Sequence, residues 1–177
     1  MKHIFSLVII LIFSSCSKDS ETDSSNTYGL SQDDIDKAMT IHNNARSDVD
    51  LEDLKWSNTL AADAYVWAKQ MAKKDEMYHS QNNERTGQGE NLYYSSNTDS
   101  ITPASNASRL WYEEINLYTY SPIGSGLNEF SQIGHYTQMV WYNTTEIGIA
   151  MAVSSSGKTY VTARYSPAGN YVGQTPY

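Results

Sequence analysis

Cysteine occurs once in these 177 residues, at Cys16. An intrachain disulfide is therefore impossible, and the fold rests on its packed core alone. Basic clusters are missing as well: Lys plus Arg number 12 against 20 Asp plus Glu, for a formal net charge of −8. That balance argues against a nucleic-acid partner, because phosphate binding needs Lys and Arg to displace counterions. The one long apolar run, Ile4 to Phe13, is ten residues, too short to cross a bilayer as a stable helix. No internal repeat is present, and the length suits one domain with a sizeable core. Tyrosine is plentiful, at 14 residues. It buries a large ring while keeping a polar handle, which suits half-exposed sheets and clefts.

The first residues read as an address rather than as structure. Met1-Lys2-His3 is a short basic start, and the ten-residue run after it has the length of a signal-peptide core. The run ends in "FSSC", which resembles a bacterial lipobox, with Phe13 where leucine is usual. This predicts a lipoprotein signal peptide over residues 1–15, lipid attachment at Cys16, and a polar, Ser-rich tether over 16–30. The remaining 31–177 is one domain. The expected location is outside the cytoplasm, as a membrane-anchored lipoprotein of a bacterial envelope or surface, with the lipidated Cys16 as the sole membrane contact. An ordinary secretory signal with an incidental cysteine, hence a secreted protein, is the alternative.

Along the domain, Ser31 is an N-cap candidate, Asp33 and Asp34 suit the first turn of a helix, and Ile35, Met39, His42, Ala45 and Val49 follow at helical spacing. Ser57 or Asn58 opens a second helix with Leu60, Ala64, Trp67, Ala68 and Met71 on one face. "GENLYY" predicts a short extended piece, and "SSNTDSITPAS" a loop interrupted by Pro103. Asn106 or Ser108 is the expected start of a third helix, and Gly134 the point after which a short fourth one begins. Ile147, Ile149, Met151 and Val153 alternate with smaller residues, "SSGK" turns, and "TYVTARY" returns, which is a hairpin. Helices followed by a hairpin make an α+β domain.

Three histidines fall in the domain: His42, His79 and His135. His79 lies eleven residues before Glu90, and Glu114 twenty-one before His135. Two imidazoles and two carboxylates converging on one cleft would suit a divalent metal. A hydrogen-bonded cluster that rigidifies loops on the core accounts for the same residues. His42 sits on an apolar stripe and reads as a core histidine.

Several motifs carry a family resemblance. "GHYTQMVWYNTTEIG" (134–148) and "YVTARYSPAGNYVGQTPY" (160–177) resemble the two signatures of the CAP superfamily of cysteine-rich secretory, antigen 5 and pathogenesis-related proteins. "HNNAR", "LKWSNTLAADAYVWA", "GENL" and "WYEEI" follow the family order and extend the match over nearly the whole domain. The resemblance implies a three-layer α-β-α sandwich with a central antiparallel sheet. It also implies a cleft formed by His79, Glu90, Glu114 and His135, which in some members binds zinc or another divalent cation. Ile149 and Ala163 stand where many eukaryotic relatives carry disulfide cysteines. The loop "SSNTDSITPAS" has no counterpart of the sterol-binding loop known in some relatives.

Three functions fit these expectations. One is capture of a small apolar ligand, such as a lipid, by a surface protein whose cleft holds a metal. Another is metal-assisted hydrolysis, for which Ser80 beside His79 is the nearest nucleophile and the nucleophile-elbow pattern is missing. The last is adhesion to a surface protein through the loops, with the cleft structural.

Overall fold

The computed structural model describes residues 27–98 and 101–177. The expected signal peptide, Cys16 and most of the tether lie outside the described residues. The last tether residues already belong to the packing: Leu30 is buried in the core, and the Tyr28 carbonyl accepts the Met151 N–H at 3.1 Å.

Four helices and a four-stranded sheet make up the domain. In chain order they are α1 (Gln32–Ser47), β1 (Lys55–Trp56), α2 (Asn58–Lys74), β2 (Gly89–Ser95), α3 (Pro103–Glu113), α4 (Phe130–Met139), β3 (Glu146–Val153) and β4 (Thr159–Ser166). Short 3₁₀ turns sit at Asn82–Glu84 and Glu114–Leu117. The sheet order is β1-β3-β4-β2. β3–β4 and β4–β2 are antiparallel, as expected, while the two-residue β1 joins β3 in parallel, so the sheet is mixed.

Alternation along the strands builds the three layers. Ile147, Ile149, Met151, Val161, Ala163 and Tyr165 join the core shared with α1, α3 and α4. The opposite face of β3 carries Gly148, Ala150 and Ala152, and α2 packs there with Trp67 and Met71 against Leu92 and Tyr160. A Cβ on Gly148 would collide with the backbone of Leu60 and Ala61, so this glycine sets how closely α2 approaches. Ile149 and Ala163 are directly opposed in the β3–β4 ladder and fully buried.

Two helix starts change: α3 opens ahead of Asn106 and Ser108, and α4 ahead of Gly134. Pro103 does not interrupt a loop but opens α3 as its first residue, where the missing N–H costs nothing. The carboxylate of Asp34 caps that helix from α1, accepting the Ala104 and Ser105 N–H groups at 2.8 and 2.9 Å. Its acidic neighbour Asp33 is the one left to the surface, paired with Lys37 at 2.6 Å. α4 starts at Phe130, four residues ahead of Gly134, and the Phe130 ring lies over that glycine where any Cβ would press on it. Met139 ends this helix, and Val140 and Trp141 extend the buried packing past it.

Candidate functional site

β2 is an edge strand, and the site straddles it. Its neighbouring residues Glu90 and Asn91 point to opposite faces, as successive strand residues must. Glu90 faces the α2 side, directly across from Arg164 on β4. Asn91 faces the side of α1, α3 and α4.

On the α2 side, Glu90 is almost fully buried. Its Oε1 accepts from His79 Nδ1 at 2.7 Å and from the Ser80 N–H at 3.0 Å. Its Oε2 accepts from the Ser80 hydroxyl at 2.8 Å and pairs with Arg164 Nη2 at 3.1 Å. Burial by itself would raise the Glu90 carboxyl, but the His79 hydrogen bond, the Arg164 charge and the Ser80 donors outweigh it and hold the pKa below the ordinary carboxylate value. An ionised Glu90 only accepts, so the proton on His79 sits on Nδ1. Ser80 is buried, gives its hydroxyl proton to Glu90 and accepts from Arg164 Nη1 at 3.0 Å. That hydroxyl is bonded to a carboxylate rather than to an imidazole.

On the other side, Glu114 follows α3 in the 3₁₀ turn and holds His135 of α4. Oε1 lies 2.6 Å from His135 Nδ1, and Oε2 accepts the backbone N–H groups of His135 and Tyr136 at 2.8 and 3.0 Å. Trp111 stacks on the His135 ring with centroids 6.0 Å apart. Asn91 Nδ2 donates to the His135 carbonyl at 3.1 Å and to the Tyr165 hydroxyl at 3.0 Å. Tyr165 in turn lies 2.9 Å from His42 Nε2, and His42 Nδ1 lies 2.9 Å from the Ala38 carbonyl. A carbonyl only accepts, so His42 carries its proton on Nδ1 and takes the Tyr165 proton at Nε2. His42 is thus a fully buried core histidine, as expected, linked through Tyr165 and Asn91 to the backbone of His135.

His79, Glu90, Asn91 and His135 line one cavity of ≈ 250 Å³, closed by Phe130, Ser131, Gly134 and Asn170. Glu114 stands behind His135 and does not line it. Among the described residues no three His, Cys, Asp or Glu side chains come together as a ready-made metal cluster. What faces the cavity is a pair of imidazoles, each tied at Nδ1 to its own carboxylate, with no partner for Nε2 among the described residues.

Arg164 and Asn91 were not singled out from sequence, and Ser80 was singled out only as a nucleophile, whereas its hydroxyl serves to hold Glu90. A lone arginine within the apolar run "TYVTARY" was the available signal for the first, since a buried charge in a strand demands a partner. Larger cavities of ≈ 450 and ≈ 500 Å³ lie along α1 and α3 and share Ile41 and Arg109; their walls are otherwise mostly polar and charged.

A three-layer sandwich with two histidine–glutamate pairs set into one edge is the architecture that the motifs led us to expect. The sequence pattern of the cysteine-rich secretory protein family matches residues 39–165. The chain belongs to this CAP family. Pathogenesis-related protein 1B of Nicotiana tabacum is 36% identical over 155 residues, covering 87% of this chain and 84% of the relative. Venom allergen 5 of Polistes dominula is 33% identical over 132 residues, covering 72% of this chain and 56% of the allergen. The crystal structure of NaASP2 with Zn2+ superimposes with a TM-score of 0.73 at 31% identity, over 84% of this chain and 87% of that one.

Proposed function

We propose that this is an exported ligand-binding protein whose cleft holds a divalent cation between His79 and His135. The observation that carries this reading is that both imidazoles line one cavity while a carboxylate occupies each Nδ1. A carboxylate behind a histidine fixes the tautomer and raises the basicity of the outer nitrogen, the usual support of a metal-binding imidazole. Glu90 and Glu114 thereby become orienting groups, and the two Nε2 atoms the donors. Nitrogen donors suit zinc and its first-row neighbours, and the relative solved with Zn2+ agrees with that choice. A cation bound there would offer open coordination positions to an oxygen of a ligand. Export is supported by the family description and by the lipobox-like "FSSC"; anchoring through Cys16 belongs to the same proposal.

Equilibrium dialysis against Zn(II) tests it: the parent protein takes up one zinc, and His79→Ala/His135→Ala takes up none. Equal uptake by both would end the reading. Capture of an amphipathic ligand is a second reading: the α1–α3 groove places Ile41 in both of its cavities, within walls otherwise mostly polar and charged. Displacement of a fluorescent fatty acid, weakened by Ile41→Asp, checks it. A hydrolytic role draws no support from Ser80, whose hydroxyl is buried against Glu90.

A further inference from the structure

A second cavity of ≈ 380 Å³ adjoins the histidine cavity and shares His79, Glu90, Phe130 and Asn170 with it. Arg85 stands in its wall. The half-buried guanidinium is held in place by the chain itself, Nε donating to the Ser80 carbonyl at 3.3 Å and Nη1 to the Gln88 carbonyl at 3.1 Å. Among the described residues the rest of its donors have no partner, and no carboxylate lies within ion-pair distance of it. Arg164 is charge-paired with Glu90, whereas Arg85 has no close ion-pair partner among the described residues. The two guanidiniums feel each other: burial chiefly lowers the Arg164 pKa, Glu90 opposes that, Arg85 adds to the lowering, and the carboxylates of Asp63 and Glu84 nearby oppose it more weakly.

An immobilised guanidinium with free donors matches the two oxygens of a carboxylate in paired hydrogen bonds. A phosphate dianion calls for more positive charge than Arg85 alone supplies. Phe130 is half exposed and lines both cavities, so an apolar face is shared by the cavity of Arg85 and that of the two imidazoles. We propose that the cleft takes a ligand with a carboxylate at one end and an apolar or aromatic body, the carboxylate on Arg85 and the body on Phe130. The far end then reaches His79 and His135, and only that last part rests on the metal reading above.

The test is calorimetric titration of the protein with acetylated phenylalanine and with its amide, each with and without Zn(II), in parent, Arg85→Gln and Arg85→Lys. The acid is expected to bind at least about tenfold more tightly than the amide, a charge-assisted pair being worth roughly that factor. Arg85→Gln loses the advantage of the acid while zinc uptake is unchanged, and Arg85→Lys keeps part of it. Acid and amide binding alike, no binding of the acid, or full acid binding by Arg85→Gln would each overturn the subsite. Inorganic phosphate competing as well as the acid would overturn the carboxylate assignment. Arg85-dependent acid binding in a protein that takes up no zinc would leave the subsite standing and remove the metal reading alone.

Discussion

Glu114 holds His135 by its ring and by its backbone at once: one carboxylate oxygen lies 2.6 Å from Nδ1 and the other takes the N–H of the same residue at 2.8 Å. The imidazole is thereby fixed in tautomer and in position. Glu114→Ala is expected to weaken zinc binding about 10–100-fold, the usual cost of losing such a partner. Glu114→Gln, which keeps an acceptor oxygen, should fall between. Calorimetric zinc titration measures both, and an unchanged affinity in the alanine variant would separate Glu114 from the site.

Acid should weaken the fold through His42. Burial pushes its pKa down from 6.5 to about 4, with the Ala38 carbonyl opposing and Arg46 assisting. Between those two values the unfolded chain binds more protons than the folded one. The contribution is therefore complete above the unfolded value and is lost as pH falls from 6.5 to about 4. It amounts to roughly 3 kcal/mol. Urea unfolding at pH 7.5 and 4.5 should show that loss in the parent, beyond whatever His42→Gln shows over the same interval.

Arg46 is buried and donates to four backbone carbonyls: Glu52 at 2.6 Å, Met139 at 3.1 Å, Trp141 at 2.9 Å and Thr144 at 3.0 Å. It closes the C-terminal end of α4, the helix that carries His135. Arg46→Met fits the volume and strands those acceptors. A loss of about 3 kcal/mol or more is expected from denaturant unfolding.

Ile149 and Ala163 face each other across β3 and β4. Directly opposed antiparallel residues have Cα atoms within the reach of a disulfide. Ile149→Cys/Ala163→Cys should oxidise to a cross-strand bridge, and the oxidised form should unfold at higher denaturant than the reduced one, by about 2–3 kcal/mol. A pair that stays reduced under oxidising conditions would contradict the register.

The alternation of the closing hairpin was plain in the sequence because apolar and small residues follow the strand period. The site was legible only through its motifs. His79 and Glu90 are eleven residues apart, Glu114 and His135 twenty-one, and no helical or strand period relates such separations. The roles of Arg164 and Asn91 depend on β2 lying beside β4, a pairing between strands distant in the chain. Helix starts were misplaced where tertiary contacts decide them: Asp34 reaches from α1 to cap α3, and the Phe130 ring packs over Gly134 inside α4.

The central claim is that the two carboxylates hold the Nδ1 protons of His79 and His135 and leave both Nε2 atoms to one cation. Nitrogen-15 NMR of the histidine side chains, before and after one equivalent of Zn(II), tests it most directly. The account predicts that Nδ1 of both residues stays protonated, that both Nε2 resonances shift together, and that buried His42 does not move. Spectra in which neither Nε2 responds, or in which zinc displaces the Nδ1 protons, would contradict it.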